Sequence, residues 1–218
     1  GSDPHSGGRG IAAFTPNGNA SIDSEGKVSA YVDGVYALAT GGNASVRQIG
    51  DVSSTKANGI QAISRGVGTF NASVESKGNV TASVNGVLAY REGDGNASIK
   101  HQGDVTVTGG FGMVAQVYGD GNASITDSKG NVTAQTQGVA AIVKGKGDAT
   151  INHEGDVTSR GADGISATVD GSGNATIVSK GKVQAQTSGV YAAVGAGSGG
   201  GDGNASVTHD GNVTSTGT

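Results

Sequence analysis

Apolar and polar residues alternate along the chain in short runs. Ala97 and Ile99 fall on one side of their run, and so do Val132 and Ala134, and Val139, Ala141 and Val143. Asn96, Ser98, Thr133, Ala140 and Ile142 fall on the other side. A period of two predicts β-strands with one buried face. The runs follow one another in a fixed order. The first reads N-A-S-I-x-x-x-G, the second x-V-T-A-x-x-x-G and the third V-x-A-x-V, with Gly103, Gly130, Gly138, Gly147, Gly155 and Gly164 at the junctions. Glycine supplies the backbone freedom that a sharp corner needs.

The opening Asn or Asp of the first run recurs at Asn19, Asn43, Asn71, Asn96, Asn122, Asp148, Asn174 and Asn204, giving successive spacings of 24, 28, 25, 26, 26, 26 and 30. A period of this length is the signature of a repeat architecture. Three strands per unit, one per side, describe a coil of a triangular solenoid. The sequence therefore predicts an all-β fold, a parallel β-helix (β-solenoid) of about eight coils of roughly 26 residues, with three strands per coil. Strand stacking at ~4.8 Å makes a rod of roughly 35–40 Å. A longer period is superimposed. The sixth residue of the first run reads Ser24, Gln48, Ser76, His101, Asp127, His153, Ser179 and His209, and the second run opens alternately on Asn79, Asn131 or Lys182 and on Asp51, Asp104 or Asp156. This is a two-coil repeat of about 52 residues. Residues 1–10 read as a tag remnant or flexible lead. Residues 11–218 read as a single array truncated at both ends, because Ile11–Phe14 already matches the third run and Asn212–Ser215 opens a coil that is not completed.

Composition suits a thin core. Hydrophobic residues make up 34% and aromatics 4%, with no Trp, while Gly numbers 42. The 2 prolines exclude collagen and Pro-rich linkers. A net charge of −4 without a block of Lys or Arg offers no electrostatic case for nucleic acid. With 0 Cys there is no disulfide, thiolate metal site or Cys nucleophile.

Several patterns are candidates for function. The outward side of the third run carries Tyr36, Leu38, Ile63, Leu88, Tyr90, Val114, Ile142 and Tyr191, which stack into an apolar stripe along the rod. Such a patch marks a partner surface. It also reads as ordinary β-propensity on an exposed sheet, or as a surface covered by the Gly-rich excursion at 195–203. The outward hydroxyls, from Ser21 to Ser206, and the Asn column beside them read as ladders that stabilise stacked strands. A carbohydrate- or ice-binding array is the other reading. Asn-x-Ser/Thr triplets at Asn71, Asn79, Asn122 and Asn131 follow the repeat and read as corner chemistry rather than glycosylation sites. His101, His153 and His209 stand at equivalent positions. The first two lie two coils apart, roughly 9–10 Å, too far to share a zinc ion, and a solvated ladder is expected. The Gly- and Asp-rich stretch Gly200–Asn204 lacks the nonapeptide calcium pattern, so no metal is expected. No hydrolase elbow, P-loop, zincin or dinucleotide fingerprint is present, and charged residues such as Glu154 and Asp156 follow the repeat instead of breaking it. No catalytic residue and no cofactor is predicted.

The N-x-[ST] and G-N-V-T-x-T-G units alternate with segments such as Gly189-Val190-Tyr191-Ala192-Ala193-Val194 followed by Gly195 through Gly203. From residue 11 to 218 this repeat style resembles the passenger domains of type V secretion autotransporters of Gram-negative bacteria. The resemblance implies a β-helical stalk, right-handed in that family, displayed on the bacterial cell surface or released from it. It implies adhesion, aggregation or signalling toward a host-cell receptor, a matrix protein or a glycan, with self-association as a further possibility. Membrane attachment would come only through a C-terminal β-barrel that these residues do not include. A structural spacer and a polysaccharide-active β-helix enzyme are the alternatives.

Overall fold

The computed structural model describes residues 8–195 and 200–217; residues 1–7 of the expected lead at 1–10 and the centre of the excursion, 196–199, lie outside the described residues. Twenty-four strands and no helix are found among the described residues. They form three eight-stranded sheets, one from each run of the repeat. Every pairing is parallel, and each strand but those at the sheet ends bonds to the strands one coil before and one coil after it. The chain is therefore a β-solenoid of about eight coils, as the periodicity predicts. Coils are numbered here from the Asn or Asp that opens each first run, Asn19 to Asn204. The register stacks like on like: Ala97 lies between Ala72 and Ala123, and Ile99 between Val74 and Ile125.

The interior is a set of such columns. Val35, Val87, Met113 and Val139 from the third sheet meet Ile99, Ile125 and Ile151 from the first and Val105, Val132 and Val157 from the second, all almost fully buried. Each buried Val or Ile contributes about 1.5–3 kcal/mol relative to exposure. One such layer per coil is enough because every coil covers its neighbour's core.

The corners are held by side-chain ladders. In coils 2 to 8 the backbone N–H of the opening residue donates to the side-chain oxygen of its counterpart one coil earlier, from Asn43 on Asn19 Oδ1 at 2.9 Å to Asn204 on Asn174 Oδ1 at 3.1 Å. A second ladder runs from Asp51 through Asn79, Asp104, Asn131 and Asp156 to the N–H of Lys182. It alternates Asp with Asn, so no two carboxylates are adjacent. Asn131→Asp would set three in a row on rungs ~4.8 Å apart. We expect it to lower stability by about 0.5–1 kcal/mol, with the loss shrinking when salt is raised to screen the exposed charges. Urea midpoints of the two proteins at low and high salt measure both effects.

Two sequence expectations are corrected. Counting six residues from Asn122 lands on Asp127, but the strand Ala123–Lys129 carries one extra residue. Asp127 is the bulge, the sole non-Gly residue with positive φ (51°) among the described residues, and Ser128 takes the column position opposite His153. The histidines are also not a solvated ladder. His101 and His153 are 1% exposed and point into the core. The column reads Ser24, Gln48, Ser76, His101, Ser128, His153, Ser179, His209, and its members pair in twos: Ser76 Oγ with His101 Nδ1 at 2.8 Å, Ser128 with His153 at 3.0 Å and Ser179 with His209 at 2.9 Å. A small hydroxyl beside each ring lets the larger side chain fit a column with a ~4.8 Å rise. This alternation gives the two-coil repeat a physical basis.

Candidate functional site: the outward face of the third sheet

The third-run strands present two outward columns. One reads Ala12, Tyr36, Gln61, Leu88, Val114, Ala140, Ser166, Tyr191. The other reads Phe14, Leu38, Ile63, Tyr90, Gln116, Ile142, Thr168, Ala193. All eight residues of the predicted stripe lie in these columns. Their exposure is uneven. Leu38 and Val114 are 9% and 4% accessible, whereas Tyr191 is 41% and Phe14 59% accessible. Ala140, in the Val114 column, is fully covered, as are Gln61 and Ser166, which bond to Asn58 and Gln137 at the preceding corners. Large apolar side chains run from Phe14 to Ile142, after which Ser166 and Thr168 interrupt the stripe.

Three features of this face were not read from the sequence. Tyr118 stands one residue beyond the strand Met113–Val117, is 52% exposed, and sets its ring 5.5 Å from that of Tyr90. Extending the alternation Val114, Gln116 by one step would have found it. Arg9 packs over Tyr36 at 4.6 Å while binding Asp33 at 3.0 Å. Burial is the main cause that raises the phenol pKa of both Tyr36 and Tyr90. The third feature is Arg91, which points inward and is fully buried. Its guanidinium donates to Asp94 O at 2.7 Å, Gly66 O at 3.0 Å, Ser64 O at 3.3 Å, Ser64 Oγ and Gly68 O, and faces the Phe70 ring at 5.3 Å. Residues 65–70 are thereby wound around a cation supplied by the next coil, and Val67 is left fully exposed at their tip.

The other two outward faces are polar. The second sheet shows a column of Ser53, Thr81, Thr106, Thr133 and Thr158. The first sheet carries the Ser and Thr column from Ser21 to Ser206 and, beside it, a column that alternates in charge, Asp23, Arg47, Glu75, Lys100. Arg47 binds Asp23 at 2.6 Å and Lys100 binds Asp127 at 3.4 Å, so this face largely neutralises itself. Glu154 bridges Lys129 at 3.4 Å, and Asp156 Oδ1 accepts the Lys182 N–H at 2.7 Å. Both carboxylates therefore serve the ladders. Among the described residues no group of three or more His, Asp or Glu is arranged to hold a metal ion.

No known protein family, curated protein or solved structure matches the chain.

Proposed function

We propose that the chain is a segment of an autotransporter-type passenger, carried on the bacterial surface or released from it, that acts without catalysis by binding a host-cell receptor or matrix component along the outward face of its third sheet. The observation that carries this reading is the contrast between the three faces. Two bear hydroxyl, amide and paired-charge ladders that satisfy themselves along the rod. The third carries Phe14, Tyr36, Leu88, Tyr90 and Tyr118, with Tyr191 beyond the Ser166 and Thr168 interruption, and an apolar surface with Tyr at its exposed points is the composition of a protein-binding patch. Repeat style and solenoid architecture support the passenger origin.

The test is saturable binding of the purified protein to cultured host cells and to immobilised matrix proteins, beside a variant in which Phe14, Tyr90, Tyr118 and Tyr191 are Ser. At least a tenfold loss of affinity in the variant, with its circular dichroism unchanged, is the expected result. Equal binding by the two proteins would rule out this face. No binding by either would favour the spacer reading, in which the uninterrupted ladders serve only to hold a distal domain away from the cell.

A further inference from the structure

The buried histidines have no part in that surface. His101 and His153 each use Nδ1 on a serine one coil earlier, and each leaves Nε2 buried with no hydrogen-bond partner. A neutral imidazole tolerates this. A protonated one needs an acceptor at Nε2 as well; the Gly103 backbone favours the charged form of His101, and no hydrogen bond does so for His153. The side chains packed directly against them offer little compensation. The strands of the third sheet that contact Ala97–Gln102 turn inward Val87, Ala89 and Arg91, and Met113, Ala115 and Val117. The only charge among these, Arg91, is itself a cation bound to carbonyls. Around His153 the third sheet supplies Val139, Ala141, Val143, Ile165, Ala167 and Val169, none of which titrates. On the neighbouring first-sheet strands Glu75, Lys77, Lys129 and Lys180 face solvent, as do Asp127 on its bulge and Lys100, Gln102, Asn152 and Glu154 beside the histidines. Asp104 and Glu154 are the nearest acids. They only partly offset burial, which pushes both imidazoles down to about 4 from 6.5, with His101 adding to the effect on His153.

One coil shows what the same position looks like without a titratable group. Ser24 Oγ donates to Gln48 Oε1 at 2.7 Å, and Gln48 Nε2 donates to Gly26 O at 2.8 Å and to Ile49 O at 3.2 Å. This rung is fully satisfied and indifferent to pH.

We propose that the stacked Ser–His rungs make coils 3 to 6 an acid-operated weak section of the rod, which opens when protons reach the buried imidazoles while the Ser24–Gln48 end stays closed. The sign follows from linkage. Between pH 6.5 and 4 the opened chain takes up protons that the closed coils refuse, so stability is intact above about 6.5 and is lost as pH falls through that window. The loss is roughly 100-fold in the folding constant per histidine between pH 7.5 and 4.5.

The test copies the chain's own non-titrating rung. In H101Q/H153Q the new amides face Gly78 O and Gln102 O, and Gly130 O and Glu154 O, the register equivalents of the Gln48 partners. Urea unfolding is followed at pH 7.5 and 4.5. The native protein is expected to lose at least 100-fold more of its folding constant than the variant on acidification. Hydrogen exchange, corrected for intrinsic rate, should show the excess loss of protection within residues 72–159 and not within 20–54. An identical acid response in the two proteins overturns the proposal. If the variant does not fold, NMR titration of the native imidazoles decides: both rings titrating near 6.5 in the folded chain would equally overturn it.

Discussion

Replacing Arg91 by methionine is expected to lower stability by about 2–4 kcal/mol and to release the 65–70 loop. The aliphatic stem is matched by Met, so the core column through Ser64, Arg91 and Val117 keeps its volume. The acceptors are what is lost. Gly66 O, Gly68 O and Asp94 O are all spent on the guanidinium, and without it the loop must either find water or leave the rod. Lysine cannot rescue this well, because a point charge on one stem does not reproduce a planar fork that serves four residues. R91K should therefore recover less than half of the loss. Urea is the denaturant for this measurement, since free guanidinium fits the same carbonyl cradle. Trypsin supplies the second readout. Arg65 lies in the loop, so faster cleavage after Arg65 in R91M than in the native chain reports detachment, and unchanged cleavage with unchanged stability would show that Arg91 holds nothing in place. The result also bears on the proposed binding face, because the same loop leaves the strand Ile60–Ser64 that carries Ile63.

Most of the architecture was legible because a solenoid is a local object. Each strand pairs with the equivalent strand one repeat away, so the spacing of Asn96, Asn122 and Asp148 states the register directly. Legibility ended where two local changes cancelled. The bulge at Asp127 adds a residue to the strand Ala123–Lys129, and the corner between the strands Val132–Ala134 and Val139–Val143 is shorter by one than that between Val105–Val107 and Met113–Val117. The interval from Asn122 to Asp148 stays at 26, and the insertion is hidden. The histidines were misjudged for a different reason. Ala97, Ile99 and His101 share one parity, and the rule that buried the first two buries the third. The serine partner lies one coil away, 25 residues off in sequence, and nothing beside His101 in the chain announces it. Arg91 follows the same rule: its parity is inward, and all its acceptors but Asp94 O sit on the preceding coil.

The stacking that makes the fold readable also fixes where it breaks. Gly103 adopts a φ of 140°, and a Cβ there would collide with the carbonyl of Gly78 on the coil before, a backbone group that cannot move without separating two rungs. Gly26 is the same corner position in coil 1. Its φ is 111°, but nothing lies within 4 Å of where its Cβ would be. The two substitutions divide the penalty into its parts. G26A should cost about 1 kcal/mol, the conformational price of a positive φ alone. G103A carries the same term and adds displacement of the neighbouring coil, for a total of about 3 kcal/mol or more. A rod whose coils open independently would confine the damage of G103A to the rungs at Gly78 and Gly103. A rod that opens cooperatively would lower the whole unfolding transition. Urea unfolding read beside hydrogen exchange at coils 1 and 8 separates these outcomes, and nearest-neighbour coupling between repeats favours the first. Equal penalties for G26A and G103A would mean that the corner carbonyls yield freely, and that the ladders of Asn and Asp, rather than close backbone approach, set the rise of the coil.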